Sequence, residues 1–452
     1  MSLLYSLSIL LYGLLIRLAA PFNRKARLLV AGRAAWREPF RAKPLDPTRP
    51  VAWFHAASLG EFEQGRPVIE ALRATYPQYQ IVLSFFSPSG YEVRKNYAGA
   101  DVITYLPADT AANAREWLAT VKPQLAFFIK YEFWYHYLRT LNEANPALAR
   151  QAVPTISFSA IFRPNQLFFK PWGGFYRKLL TYFQAILVQN QESVDLLRGI
   201  GIESILAGDT RFDRVAQVAA SKRDIPEVAT FVDSNVPTLI VGSAWAADMA
   251  VLIPMLNQFS APLRVIIAPH EINDAEIEGW RTQLTAPSVR FSELTPPPAP
   301  PLKKGEGSPP WEDTISLGEL LPSPSLRGGA GGGVRYLFID NIGMLSSLYQ
   351  YGTMAYIGGA FGKGLHNCLE AATFGLPLLF GPNYRKFQEA VDLVAQGGAF
   401  AINNTDELTQ AFTRLYENAP TRERAWAICK AYVLDNVGAT EKVMAVVAGL
   451  DR

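Results

Sequence analysis

The chain has 452 residues, 49% of them apolar and 18% charged, which is more than one ordinary core accommodates and points to two domains. Its two cysteines, Cys368 and Cys429, form neither a close pair nor a CxxC, so no disulfide framework or cysteine-based zinc site is indicated, and a reducing compartment fits. Formal charge is +3, but residues 1–50 carry +7 and the other 402 residues −4; no nucleic-acid partner is expected.

The positive excess lies in "RKARLLVAGRAAWR", directly behind the apolar start "MSLLYSLSILLYGLLIRLAA". An apolar segment with a basic flank reads as membrane contact. A cleaved signal peptide places its charges first, and a clean span is interrupted by Arg17. The expectation is an uncleaved anchor that inserts or lies in the interface, with the body on the cytoplasmic side; a buried helix hairpin is the alternative.

Beyond the anchor, strand-like runs such as "VAWFHAAS", "QIVLSFFS", "VITYLPAD", "LAFFIKYE", "TISFSAI" and "AILVQNQ" alternate with helical patterns. This is the βαβ rhythm of a doubly wound parallel sheet. A second series runs through "TLIVGSAW", "RVIIAPHE", "RYLFIDN", "MAYIGG" and "LPLLFGP", with a linker near "AASKRDIPEVA". Two α/β domains follow. Residues 296–333 fit neither rhythm: 17 of the 38 are Pro or Gly, so the segment reads as a disordered surface insertion.

Ligands of open α/β sheets collect at the carboxyl ends of strands. Glu61 stands just past "VAWFHA". Ser58 to Glu61 spells S-x-x-E, a capping box in which each side chain bonds the other's backbone N–H. Alternatively, Gly60 lets the chain turn tightly and presents Glu61 as a general base, kept ionised by the helix N-terminus. Both readings stand at this point.

The second candidate runs from Tyr356 to Ala390. A P-loop fails because Ile357 takes the first glycine position and Gly364 follows Lys363; a dinucleotide fingerprint fails because Asn367 stands at its third glycine. What remains is a strand, a glycine loop with Lys363, and a helix expected to begin near His366 or Asn367 with Glu370 in its first turn. Free N–H groups and a lysine suit phosphate, and a carboxylate suits ribose hydroxyls; a plain Asn367 cap with Glu370 behind it also fits. Gly242 and Ser243 end "TLIVGS", and His270 and Glu271 end "RVIIAPHE". His55, His136, His270 and His366 show no metal-ligand spacing, so no metal and no cofactor is expected and each lone histidine reads as structural.

Taken together, "FHAASLGE", "YEFW" at 131–134, "GDTRFDR" and "GLHNCLEAATFGLPLLFGPNYRKFQE" resemble, in order, motifs of the Kdo transferase family: F-H-A-x-S-x-G-E, T-E-x-W, G-N-x-K-F-D and G-G-H-N-x-L-E-P-A…G-K-P-V-x-F-G-P. Members attach 3-deoxy-D-manno-octulosonic acid (Kdo) from CMP-Kdo to the lipid A precursor. The resemblance covers nearly the whole chain except the insertion. It implies a GT-B architecture, two Rossmann-like domains facing a cleft, on these boundaries: anchor 1–22, acceptor domain 23–220, nucleotide-sugar domain 228–430, and a C-terminal helix within 431–452 that can return to the N-terminal domain. It carries the catalytic base onto Glu61 and a second acidic position, for acceptor positioning or support, onto Glu132. Nucleotide contacts fall on Ser243, Gly359, Asn367 and Glu370, with Lys363 as phosphate partner and Ser58 and Gly60 flanking the base.

Departures are visible. Pro269-His270-Glu271 stands where many members have Pro-Arg-His-Pro, so an arginine is missing and His270 or Lys363 is left to compensate; Asp209 and Arg211 replace Asn and Lys. The implied function is inverting, metal-independent Kdo transfer to the lipid A precursor at the cytoplasmic face of the inner membrane. Another GT-B enzyme using a UDP-sugar, or a non-catalytic glycan or lipid binder, are the alternatives.

Overall fold

The computed structural model describes residues 1–143, 152–294, 334–362 and 364–450. The stretch 296–333 and Lys363 lie outside them. The chain divides into two compact units, one of residues 1–214 with 436–452, the other of residues 215–435.

The first unit is built on seven parallel strands, β1 (Val51–Ala56), β2 (Gln80–Phe85), β3 (Val102–Tyr105), β4 (Leu125–Ile129), β5 (Thr155–Ala160), β6 (Ala185–Val188) and β7 (Ile205–Leu206), in the order β3-β2-β1-β4-β5-β6-β7. Strands buried on both faces read as continuous apolar runs, and β1 and β4 do so. Successive side chains nevertheless part to opposite cores: Val51 and Trp53 join Trp117 and Phe128, whereas Ala52, Phe54 and Ala56 join Phe62 and Phe127. Trp53 is fully buried, and its truncation to Ala is expected to cost ~3–5 kcal/mol. Strand order reverses between β1 and β4, so the carboxyl ends of these two strands form the switch point where ligands bind.

Two further segments complete this unit. The helix Ala439–Leu450 sinks Val443 and Val447 into the core that holds Phe54 and Phe62. The Asp213 carboxylate accepts from the N–H of Gly438 at 2.6 Å and of Thr440 at 2.7 Å, and from the Thr440 hydroxyl at 2.6 Å. It caps a helix from far away in sequence. At the other end, the helix Ser2–Ala19 buries none of its residues, yet it is tied to the unit by polar groups. The Tyr5 hydroxyl donates to Asp109 Oδ2 at 2.6 Å, Ser6 Oγ meets His136 Nε2 at 2.9 Å, and Tyr12 stacks on Phe86 at 6.3 Å. Burial pushes the Asp109 carboxyl up to about 6. Among the described residues this is one helix long and apolar enough to cross a membrane.

The second unit also has seven parallel strands, β8 (Thr238–Ala244), β9 (Arg264–Pro269), β10 (Ser288–Arg290), β11 (Tyr336–Phe338), β12 (Met354–Ile357), β13 (Leu378–Phe380) and β14 (Ala399–Ala401), in the order β10-β11-β9-β8-β12-β13-β14. Its switch point falls between β8 and β12. The core joins Leu239, Val241, Val265, Ile267 and Tyr356 to the helix Ala246–Gln258 through Met249, Leu252 and Met255.

Candidate functional site

In the first unit the chain leaves β1 through Ala57 and an extended Ser58 and enters the helix Leu59–Thr75. Only half of the expected capping box forms. The Ser58 side chain makes no capping bond, but Glu61 reaches back, its Oε2 accepting from the Ala57 N–H at 2.5 Å. Gly60 is not a tight-turn glycine: the helix has already begun at Leu59, and a Cβ at Gly60 would meet nothing within 4 Å. Glu61 is not held ionised by the helix start either. Burial first, and then the charge of Glu132, push its carboxyl up from 4.5 to about 7, against the Ala57 and Ser58 N–H groups and Lys130. Desolvation here outweighs the helix end.

Glu132 arrives from β4, three residues past Ile129, and is buried. Its Oε2 accepts from Trp134 Nε1 at 2.5 Å and lies 3.0 Å from His55 Nε2. The other ring nitrogen, His55 Nδ1, is 2.9 Å from Ser84 Oγ, which accepts from Trp53 Nε1 at 2.7 Å. With Glu132 a carboxylate, Nε2–H donates to it, while Nδ1 lies against both the Ser84 hydroxyl and, at 3.1 Å, the Ser84 carbonyl oxygen. His55 is thus neither a lone core histidine nor a ligand; it braces Glu132. Between β4 and Glu132, Lys130 holds a left-handed φ of 67°, a conformation uncommon for a residue with a side chain. Such backbone gathers at functional sites.

In the second unit Ser243 likewise has a left-handed φ of 55°, at the end of β8 where its pairing with β9 shifts register. After β12, Gly358 and Gly359 turn the chain. A Cβ on Gly358 would fall 2.1 Å from the Ser243 carbonyl oxygen, and Gly359 has φ 94°. No side chain fits at the first position. A buried carboxylate that the sequence did not single out, Asp248, fastens the two loops: Oδ2 accepts from the N–H of Trp245 at 3.0 Å and of Gly359 at 2.8 Å, and Oδ1 from the Tyr356 hydroxyl at 3.0 Å. Burial raises its pKa. The helix expected from His366 or Asn367 starts instead at Leu369 and ends at Ala372, a single turn. Asn367 Oδ1 accepts from the Leu369 N–H at 3.2 Å and its Nδ2 donates to Glu370 Oε1 at 3.0 Å, so these two candidates stand together. His270 stacks on Trp245 with centroids 4.3 Å apart and on His366 at 4.2 Å. Lys363 lies outside the described residues. Among the described residues no group of three or more His, Cys, Asp and Glu is arranged to hold a metal ion.

The structure therefore gathers Glu61 and Glu132, with Ser58 and Gly60 beside them, at the switch point of the first sheet. Ser243, His270, Gly359, Asn367 and Glu370 surround that of the second. Similar folds are known. A UDP-GlcNAc 2-epimerase from Neisseria meningitidis superposes with a TM-score of 0.57 at 13% identity, covering 89% of this chain and 100% of that one. MurG of Acinetobacter baumannii gives 0.52 at 13% identity, covering 89% and 99%. The chain has the GT-B fold, two Rossmann-like units on parallel sheets.

Sequence relatives narrow the class. Residues 34–214 match the family described as 3-deoxy-D-manno-octulosonic-acid transferase (kdotransferase). The 3-deoxy-D-manno-octulosonic acid transferase of Aquifex aeolicus is 22% identical over 385 residues, 83% of this chain and 89% of the relative. That of Rickettsia felis is 24% identical over 379 residues, 81% and 72%. The protein is a glycosyltransferase. Its residues 34–214 match the Kdo transferase family, and over about four-fifths of its length the chain is similar to members of that family.

Proposed function

We propose that the protein transfers Kdo from CMP-Kdo to the lipid A precursor, with inversion at the anomeric carbon, in assembly of the lipopolysaccharide core. The observation that carries this reading is Glu61, a carboxyl at the switch point of the first sheet with its pKa moved to about 7, in a chain similar to this family. A general base is most effective when its pKa lies near the working pH. Glu61 takes the proton from a glucosamine hydroxyl of the lipid as that oxygen bonds to the anomeric carbon of Kdo. The bond from that carbon to the phosphate oxygen breaks, and its electron pair leaves with CMP. A single displacement inverts the centre. Glu132, braced by His55 and Trp134, supports the base and orients the acceptor.

The second unit receives the donor. Ser243 and the amino end of the helix Ala246–Gln258 meet the phosphate, where backbone N–H groups favour growing negative charge. Asn367 and Glu370 face the ribose. The unburied apolar helix Ser2–Ala19, followed by the basic helix Arg24–Ala34, holds the protein at the cytoplasmic face of the inner membrane, where the acceptor lies.

Incubation of the detergent-solubilised full chain with CMP-Kdo and a tetraacyl lipid A precursor, without added divalent metal, tests the reading by product mass. Gain of one or more Kdo units is the expected result. No product from a folded protein, with transfer from a UDP-sugar and inhibition by UDP instead of CMP, overturns the donor; binding without turnover of any donor overturns the enzyme.

A further inference from the structure

Three rings from three separate strand ends meet in the second unit: Trp245 just after β8, His270 just after β9, and His366 beyond the glycine loop that follows β12. The Trp245 and His366 rings lie 12° from coplanar with centroids 6.2 Å apart, and the indole Nε1–H donates to His366 Nε2 at 2.9 Å. They form one flat, edge-joined surface. The His270 ring lies across it, 4.3 Å from one ring and 4.2 Å from the other, tilted 24° and 27°. It straddles the joint.

This arrangement carries no formal charge. To accept from the indole, His366 Nε2 must be unprotonated, so the ring proton is on Nδ1 and the imidazole is neutral. Burial, with a lesser contribution from His270, holds its pKa down at about 4. Burial also lowers that of His270, against the carboxylate of Glu271. Two neutral imidazoles and an indole make a poor substitute for an arginine that grips phosphate. They make a good bed for a planar heteroaromatic ring, since stacking needs a π-face and no charge. His270 and Trp245 are exposed whereas His366 is half-buried, and His270, lying against both other rings, covers one side of their joint and presents its own outer face.

We propose that Trp245, His270 and His366 form a pre-stacked platform for the pyrimidine base of the nucleotide donor, with His270 as the ring that meets the base. This rests on the reading above that the second unit receives a nucleotide. His270 then determines donor affinity through its ring, and the missing arginine is replaced by stacking on the base instead of a second cation on the phosphate. Trp245 and His366 are positioning residues that fix the plane on which His270 lies.

The test is titration calorimetry of the solubilised full chain with CMP, cytidine and UMP, on the wild type, His270→Ala and His270→Phe, with thermal melts to confirm folding. His270→Ala is expected to weaken CMP roughly 5- to 150-fold, the range that stacking one base on an aromatic ring covers. Cytidine is expected to weaken by a similar factor, because the lost contact is to the base, and His270→Phe to regain most of the affinity. Two results overturn the platform: a loss confined to CMP and spared for cytidine, which marks a phosphate contact, or His270→Phe binding as weakly as His270→Ala. A wild type that binds UMP and not CMP sinks the proposed donor, and the same variants then judge the platform on UMP.

Discussion

Replacing Glu61 by Gln tests structure and chemistry at once, because the two effects are expected to run in opposite directions. The Glu61 carboxyl titrates near 7 in place of 4.5. Between those values the folded chain binds more proton than the unfolded one, so this group's contribution to stability falls as pH rises through the window. At 1.36 kcal/mol per pH unit, an ionised Glu61 costs the fold ~3 kcal/mol at pH 8 and nothing below pH 4. Glutamine keeps an oxygen for the Ala57 N–H and carries no charge. Glu61→Gln is therefore expected to be more stable than wild type by up to ~3 kcal/mol at pH 8, with no difference at pH 4. Kdo transfer, meanwhile, is expected to fall by about 10² to 10⁴. In the wild type the base is present only as carboxylate, so activity is lost as pH falls through about 7, dropping roughly tenfold between pH 8 and pH 6. Denaturant melts at the two pH values and initial rates across pH 5.5–9 read these effects. A wild-type rate that stays flat from pH 6 to pH 8, or a variant that transfers at full rate, would refute the assignment.

Other outcomes follow from single contacts. Glu132→Ala strands the Trp134 indole and His55 imidazole N–H groups in a buried site and is expected to cost ~2–5 kcal/mol, whereas Glu132→Gln keeps an acceptor and costs less; urea midpoints separate them. Asp213→Ala removes three hydrogen bonds to one carboxylate and should lower stability by roughly 3 kcal/mol or more, with new proteolytic cleavage near 435–438. Changing Arg24, Lys25 and Arg27 to Gln should weaken binding to anionic vesicles by ~1 kcal/mol per charge, and the difference should vanish in high salt.

The doubly wound rhythm was legible because parallel strands covered on both faces leave unbroken apolar runs, as in β1, β4 and β8. β14, three residues long, is too short for such a run to stand out. Candidate residues at strand ends could be read for the same reason: Glu61, Ser243, His270 and Gly359 all follow recognisable runs. Pairings across the sheet could not. His55 and Glu132 are distant in sequence and meet because β1 lies beside β4 with His55 opposite Phe128, a register that no local pattern encodes. Asp248 was hidden likewise, since its partners Gly359 and Tyr356 come from another strand. The helix-start rule misjudged Glu61 because sequence shows the favourable N–H groups and not the burial that outweighs them.

The segment that closes the first unit is the last part of it to be made. During synthesis the chain passes residue 214, builds the whole of residues 215–435, and only then delivers Val443 and Val447 to the waiting core. At about 5–20 residues per second the delay is on the order of 10–40 s. Throughout it, the apolar surface those two valines cover stays open while the amino-terminal helix has long since emerged. A premature stop near residue 435 should therefore spare the unit just translated and damage the older one. Its product would be expected to aggregate or be degraded through the half of the protein that carries Glu61.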